Sequence, residues 1–240
     1  MSYTETYESD LLRGDEDPRP WSLHDEIASL LSPTATVLDV GCGTAFKMLR
    51  LARLCGYMVG LEPNIRMRRQ ATANVKATGF SHVAIVAGLD SMLPFRDEVF
   101  DVVTVMVAPH DTAEVRRVLK PGGYAIIEKI GERDKENIKS AFRADRDGLR
   151  GQFSDIGDGE RAHHFWTEFR SQFAQVDVQE GRWKTYYSVE GLRLLLEQTP
   201  TVRGFNATAD ADTLREIITT YCTDRGIATV QHRILIRAQR

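Results

Sequence analysis

The chain has 240 residues, 42% of them apolar and 27% charged, the balance of a globular protein with room for one sizeable core. Its net charge of −3, from 31 basic and 34 acidic residues, argues against nucleic acid held by its phosphates. No run approaches the ~20 apolar residues of a membrane span, the start lacks a secretory leader pattern, and Cys42, Cys55 and Cys222 lack Cys-x-x-Cys spacing, so a reducing cytoplasm fits and neither a disulfide framework nor a metal site is expected.

Residues 1–33 read as an arm followed by a helix, with Leu23, Ile27, Leu30 and Leu31 on one face and a stop at Pro33. Thr36–Val40 is a short β-branched run that reads as a buried parallel strand. An alternation follows: helix 45–55, strand 57–61, helix 64–77, strand 82–86, strand 100–107, helix 112–119 and strand 124–130. Strict alternation implies right-handed crossovers and a parallel sheet covered on both faces. Beyond Gly131 the rhythm breaks. A charged helix is expected over 134–149, then a loop carrying Gly148, Gly151, Gly157 and Gly159, and a helix over 161–173. A strand at 176–179, helices at 189–198 and 212–222 and a strand at 230–238 close the chain. The reading is one domain over 34–240, with insertions at about 131–160 and 181–226 on the acceptor side.

The segment Asp39-Val40-Gly41-Cys42-Gly43-Thr44 ends the first strand and opens the first long helix. In an open α/β sheet, ligands bind beyond the carboxyl ends of the strands. Gly41 and Gly43 let the backbone turn tightly and a ligand approach closely, and the helix N-terminus behind them suits an anion. A dinucleotide site wants a third glycine where this chain has Phe46, whose ring obstructs the helix–strand packing that glycine permits. Glu62 ends the second strand, nineteen positions after Gly43, where a carboxylate accepts hydrogen bonds from ribose hydroxyls. Taken alone it would be a solvated residue before a Pro63-Asn64 turn. Leu89, Asp90 and Ser91, with Met92, follow the third strand, where apolar side chains pack on a base and a carboxylate receives an amine. Pro94 and Phe95 pin that loop to the core.

Together, Asp39-Val40-Gly41-Cys42-Gly43-Thr44, Gly60-Leu61-Glu62-Pro63, Leu93-Pro94-Phe95 with Phe100-Asp101, and Arg117-Val118-Leu119-Lys120-Pro121-Gly122-Gly123 resemble the ordered motifs of class I S-adenosylmethionine-dependent methyltransferases, over about residues 34–130. The resemblance implies an α/β, Rossmann-like fold: a mostly parallel seven-stranded sheet with an antiparallel last strand, and helical insertions over the active site. It implies S-adenosyl-L-methionine as cofactor, held by Asp39, Gly41, Cys42, Gly43, Glu62, Pro63, Leu89, Asp90, Ser91 and Val107. Ala108-Pro109-His110, which runs almost directly into the next helix, and Leu194-Leu195-Leu196-Glu197-Gln198-Thr199-Pro200 further resemble bacterial guanine-N1 methyltransferases of large-subunit ribosomal RNA. Those proteins carry an N-terminal four-cysteine zinc module that this sequence lacks.

Methyl transfer from a sulfonium is an in-line displacement that depends mainly on proximity and alignment. His110, after the fourth strand, is the candidate base; the competing role is a turn histidine capping the helix from Thr112. Glu128 and Lys129 end the fifth strand, and only one can face the cleft. Trp183, Tyr186 and Tyr187, read as lying just after the sixth strand, are candidates to stack on a planar acceptor, or else bury the insertion helices. Tyr3, Tyr7 and Trp21 are placed to close over the donor. His163 and His164, adjacent on a helix, make a poor chelate. The leading expectation is an enzyme that methylates a small molecule on O, N or C. The alternatives are an rRNA guanine-N1 methyltransferase and a non-catalytic adenosylmethionine-binding protein. Nothing in the sequence sets an oligomeric state.

Overall fold

The computed structural model describes residues 13–151 and 156–240; Tyr3 and Tyr7 lie outside the described residues. The chain gathers into two compact units, one of residues 1–20, 130–161 and 180–233, the other of 21–129, 162–179 and 234–240. Among the described residues, no helix is long and apolar enough to cross a membrane.

The strands are β1 (Asp15–Glu16), β2 (Thr36–Val40), β3 (Tyr57–Leu61), β4 (Val83–Val86), β5 (Phe100–Met106), β6 (Leu119–Ile130), β7 (Gln175–Tyr187), β8 (Cys222–Thr223) and β9 (Gly226–Gln239). Among the described residues the α-helices are α1 (Leu23–Ala28), α2 (Phe46–Leu51), α3 (Ile65–Thr78), α4 (Thr112–Val118), α5 (Glu136–Lys139), α6 (Glu160–Arg170), α7 (Val189–Gln198) and α8 (Ala211–Tyr221).

In the unit containing residues 21–129, the sheet order is β7-β9-β6-β5-β2-β3-β4. β2 pairs in parallel with β3 and β5, β3 with β4, and β5 with β6. All five of these strands therefore end at the same edge of the sheet. β9 runs antiparallel to β6: Arg240 bonds Gly122 and Gly123 at one end, and the Gly131 N–H reaches His232 at the other. This is the Rossmann-like arrangement with one reversed strand that the resemblance implies.

Successive side chains on a strand point to opposite faces, and the core splits accordingly. Leu38, Val103, Ile127, Ile234 and Ile236 join one cluster with Phe165, Phe169 and Phe173 of the α6 region. Val37, Val102, Ile126 and Leu235 join the other, with Ile27, Met48, Leu51 and Ala71 from α1, α2 and α3. Near-continuous apolar runs are what a sheet covered on both faces requires.

In the other unit, Ile138, Phe142, Tyr187, Leu192, Leu195, Leu196, Leu214, Ile217 and Ile227 form a separate core. β1 pairs antiparallel with Thr185–Tyr186 of β7, and β8 with the start of β9. The helix expected over 134–149 is reduced to α5. Lys135 precedes it in the left-handed region at φ 52°, and Asp145 accepts the Asp147 N–H at 2.9 Å in a turn closed by Gly148. Such a side chain offers the backbone a local partner that competes with the helix. β7 is thirteen residues long instead of four. Trp183, Tyr186 and Tyr187 consequently sit within the strand, not after it on an insertion.

Candidate functional site

The site is assembled at the carboxyl edge of β2, β3, β4 and β5. After β2 the chain turns through Gly41 at φ 72° and Gly43 at φ 57°. A Cβ at Gly41 would stand 2.4 Å from the Ala108 Cβ, so only glycine fits there. A Cβ at Gly43 would meet nothing within 4 Å among the described residues, so this backbone is open on their side. The N–H groups of Gly41 and Cys42 both reach the Leu61 carbonyl, at 2.8 and 3.0 Å. Gly60 completes the fit of the two turns, because a Cβ there would strike Cys42 Sγ and Met48 Sδ at 2.7 Å.

Glu62 latches this loop. Its Oε2 accepts the Gly43 N–H at 2.9 Å and its Oε1 accepts the Asn64 N–H at 2.8 Å. The residue is buried, and each oxygen keeps a second lone pair for a ligand. Asn64 then caps α3 by accepting from Arg66 and Met67. Sequence spacing alone suggests the ribose role of Glu62; its hold on Gly43 emerges only from the fold.

Asp39 is 1% exposed. Its Oδ1 accepts the Thr104 hydroxyl at 2.8 Å, whereas its Oδ2 is buried with no hydrogen-bond partner among the described residues. Burial pushes its pKa up to about 7, against the pull of the Thr104 hydroxyl and the Lys47 charge. A buried, unmatched carboxylate oxygen at the carboxyl end of β2 suits a cationic group. Thr104 was not singled out in the sequence; as the β5 residue in register with Asp39 it is identified by strand pairing alone.

Leu89 and Met92 are exposed at 56% and 73%, joined by an isolated antiparallel bridge, and Ile65 at the start of α3 is 54% exposed. Pro63 and Ser91 are exposed, and Asp90 and Cys42 are part-buried. Burial drives the Cys42 thiol far above its usual range, so it stays protonated. Val107 closes β5 at φ 59°. A β-branched residue in that region is strained, and strain of this kind concentrates at functional sites.

His110 stacks on Phe169, with ring centroids 5.5 Å apart. Its Nε2 lies 3.2 Å from Thr112 Oγ1, whose hydroxyl donates to Glu168. Because the Thr112 proton is directed to Glu168, His110 must donate from Nε2, which leaves a lone pair on Nδ1. Burial, reinforced by the Lys129 charge, pushes the His110 pKa down to about 3. The imidazole is therefore neutral at physiological pH. The capping role falls instead to Asp111, which accepts the Glu114 N–H at 3.0 Å. Thr112 and Glu168 were missed in the sequence because they lie 56 residues apart.

Glu128 is buried and accepts the Trp21 indole N–H at 3.0 Å, while Lys129 donates to the Ala108 carbonyl. Trp21 is thereby fixed against β6. In the other unit, the guanidiniums of Arg19 and Arg233 lie 5.2 and 5.9 Å from the Trp183 ring centre, and that of Arg225 lies 4.0 Å from Tyr186. Tyr187 packs in the core of that unit. His163 stacks near Trp166, with centroids 6.3 Å apart.

Residues 38–127 match the family described as methyltransferase domain. A demethylmenaquinone methyltransferase of Bacillus subtilis (strain 168) is 31% identical over 118 residues, covering 45% of this chain and 51% of that protein. The chain thus spans about half the length of the curated relatives it matches. The YcgJ protein of Bacillus subtilis superposes with a TM-score of 0.67 at 18% identity, over 91% of this chain and 97% of that one. The [4+2]-cyclase SpnF superposes with a TM-score of 0.57 at 18% identity, over 96% and 88%. The fold is the α/β Rossmann-like methyltransferase fold.

Proposed function

We propose that this protein is an S-adenosylmethionine-dependent methyltransferase acting on a small-molecule acceptor. The observation that carries the reading is the latch of Glu62 on Gly43 beside the unmatched Oδ2 of buried Asp39. These residues fit the donor in kind. Glu62 has acceptor capacity for ribose hydroxyls, Asp39 has a buried carboxyl that a neighbouring ammonium would draw into its ionised form, and the backbone at Gly43 admits a ligand without a Cβ in its way. The exposed Leu89 and Met92, with Asp90 between them in sequence, suit a base ring and its amine. The match to the methyltransferase family over residues 38–127 supports the same donor. The bound donor supplies an electrophilic methyl on a sulfonium. The chain's own contribution is to hold, orient and exclude water, since such a displacement needs alignment above all.

His110 takes a narrower role than a general base. With its pKa pushed down to about 3, it does not hold a proton at neutral pH. Its Nδ1 lone pair instead accepts a hydrogen bond from the acceptor's O–H or N–H, with Thr112 and Glu168 fixing the tautomer. His110→Ala is expected to lower turnover at least ~10-fold with donor affinity nearly unchanged, and the wild-type pH–rate profile should show no limb near 6.5 from this group. Full turnover in the variant would leave His110 a structural turn residue.

Glu62→Ala removes the acceptors of two backbone N–H groups and of the ribose. Donor binding should weaken by ~1–3 kcal/mol, the range for charge-assisted hydrogen bonds, as read by titration calorimetry. An unchanged dissociation constant would take Glu62 out of the site.

The reading as a whole is tested by calorimetry with adenosylmethionine, its demethylated product and NAD. Binding of the first two is expected. NAD binding without them would overturn it. For the acceptor, demethylmenaquinone is the substrate named for the relatives, which supports a small molecule. The rRNA guanine-N1 alternative would be restored by tight, steeply salt-dependent binding of ribosomal RNA hairpins with methyl incorporation. A non-catalytic adenosylmethionine-binding role would be favoured by donor binding without turnover on any acceptor. SpnF, a cyclase of similar fold, illustrates that the fold alone does not decide the reaction.

A further inference from the structure

In the unit of residues 1–20, 130–161 and 180–233, Glu132, Glu180 and His232 converge from the segment after β6, from β7 and from β9. One ligand-capable atom from each lies within 4.8 Å of the other two. Glu132 and His232 are buried at 2% and 0% exposure, and Glu180 opens to solvent. Gly131 permits the approach, because a Cβ there would stand 2.4 Å from the His232 ring.

Hydrogen bonding settles the part each residue takes. The Arg133 N–H donates to His232 Nδ1 at 3.1 Å. Nε2 therefore carries the ring proton and donates it to Glu180 Oε1 at 3.0 Å. A nitrogen that bears a proton is not a metal ligand, so His232 orients Glu180 from behind. Glu132 Oε1 accepts the Gly159 N–H, while its Oε2 is buried with no hydrogen-bond partner among the described residues. A buried carboxylate oxygen without a donor is costly unless a cation or proton meets it. Arg161, whose charge acts on Glu132, also donates its Nε–H to the Ile130 carbonyl.

We propose that Glu132 and Glu180 bind a hard divalent cation of the Mn²⁺, Mg²⁺ or Ca²⁺ class, in a structural site independent of the donor site. Carboxylate oxygens within 4.8 Å of one another can share an ion at roughly 2.1–2.4 Å from each. Two carboxylates without nitrogen or sulfur ligands select hard cations over zinc. Water completes the coordination from the exposed side of Glu180. The ion would tie the segment after β6 to β7, which are also joined through His232 and through Asp158, paired with both Arg133 and Arg182.

Chelator-treated full-length protein is titrated with MnCl₂ while free Mn²⁺ is followed by electron paramagnetic resonance. One equivalent should bind with a dissociation constant below about 1 mM. Mg²⁺ or Ca²⁺ should compete, and bound Mn²⁺ should raise the thermal midpoint. Glu132→Gln and Glu180→Gln should each weaken binding ~10–100-fold. Glu180 is exposed, so its variant keeps the test valid where the Glu132 variant folds poorly; circular dichroism checks both. Absence of binding up to about 1 mM, or binding indifferent to both substitutions, overturns the proposal. So does Zn²⁺ binding that Mn²⁺ cannot displace and that His232→Asn abolishes, which would mark a nitrogen-ligated site.

Discussion

Replacing Gly43 with Asp is expected to abolish adenosylmethionine binding, at least ~100-fold by calorimetry, while leaving a folded protein. Gly43 sits at φ 57°, where an L side chain costs about 1 kcal/mol or more of backbone strain. That cost is small against the stability of a domain of this size. No described residue lies within 4 Å of the new Cβ, so the core clusters are not disturbed. The carboxylate does its damage through position. It would project from the turn that leads into α2, adding like charge where the donor's own carboxylate is expected to approach. It would also crowd Glu62, which already accepts the Gly43 N–H at 2.9 Å. Gly43→Ala separates the contributions: it carries the strain and a methyl but no charge, and should lose less. If the Asp variant binds donor as tightly as the parent, the glycine loop is not the donor site.

The glycine loop was legible in the sequence because its information is local. A β-branched run, two glycines at fixed spacing and an acid at the end of the next strand are all one-dimensional signals, and Asp39, Gly41, Gly43 and Glu62 come together as that spacing implies. Other parts depend on pairings distant in the chain. Thr104 meets Asp39 across 65 residues, and Trp21 meets Glu128 across 107. Strand register brings the first pair together, and packing of the segment before α1 against β6 the second. His110 was readable as a position but not as a chemical state, since its neutrality comes from burial and the neighbouring Lys129.

The full length of β7 was missed for a different reason. Gly181 reads as the end of a strand, yet the structure carries the strand through it. A usable signal was present: Arg182 and Lys184 flank Trp183, the polar–apolar alternation of a half-buried strand, and the observed burial from Gly181 to Tyr187 alternates with it. The expected helix over 134–149 failed through the opposite error. Its charged residues suit a helix surface, but Asp145 and Arg203 close a turn instead, at 2.6 Å, again across a long sequence gap.

Asp39→Asn should separate stability from binding. In the free protein, the Asp39 carboxyl holds its proton up to about pH 7, against 3.8 for an ordinary Asp. Between these values the folded state binds a proton that the unfolded state has released. Stability therefore falls as pH rises from about 4 through 7, at a limiting slope of about 1.4 kcal/mol per pH unit, and levels off above. An Asn carries no such charge and can still accept the Thr104 hydroxyl. The variant should match the parent near pH 4 and be more stable at pH 8, with the thermal midpoint raised by about 2–4 °C for each kcal/mol recovered. Donor binding should move the other way. A cationic donor favours ionised Asp39, so wild-type affinity should rise with pH between about 5.5 and 8, up to ~10-fold per unit below the pKa. The Asn variant should bind more weakly and show a flat profile over the same range. Calorimetry at three or four pH values reads both. A flat wild-type profile, with the variant binding equally well, would remove Asp39 from contact with the donor and leave its unmatched oxygen a packing feature of the strand end.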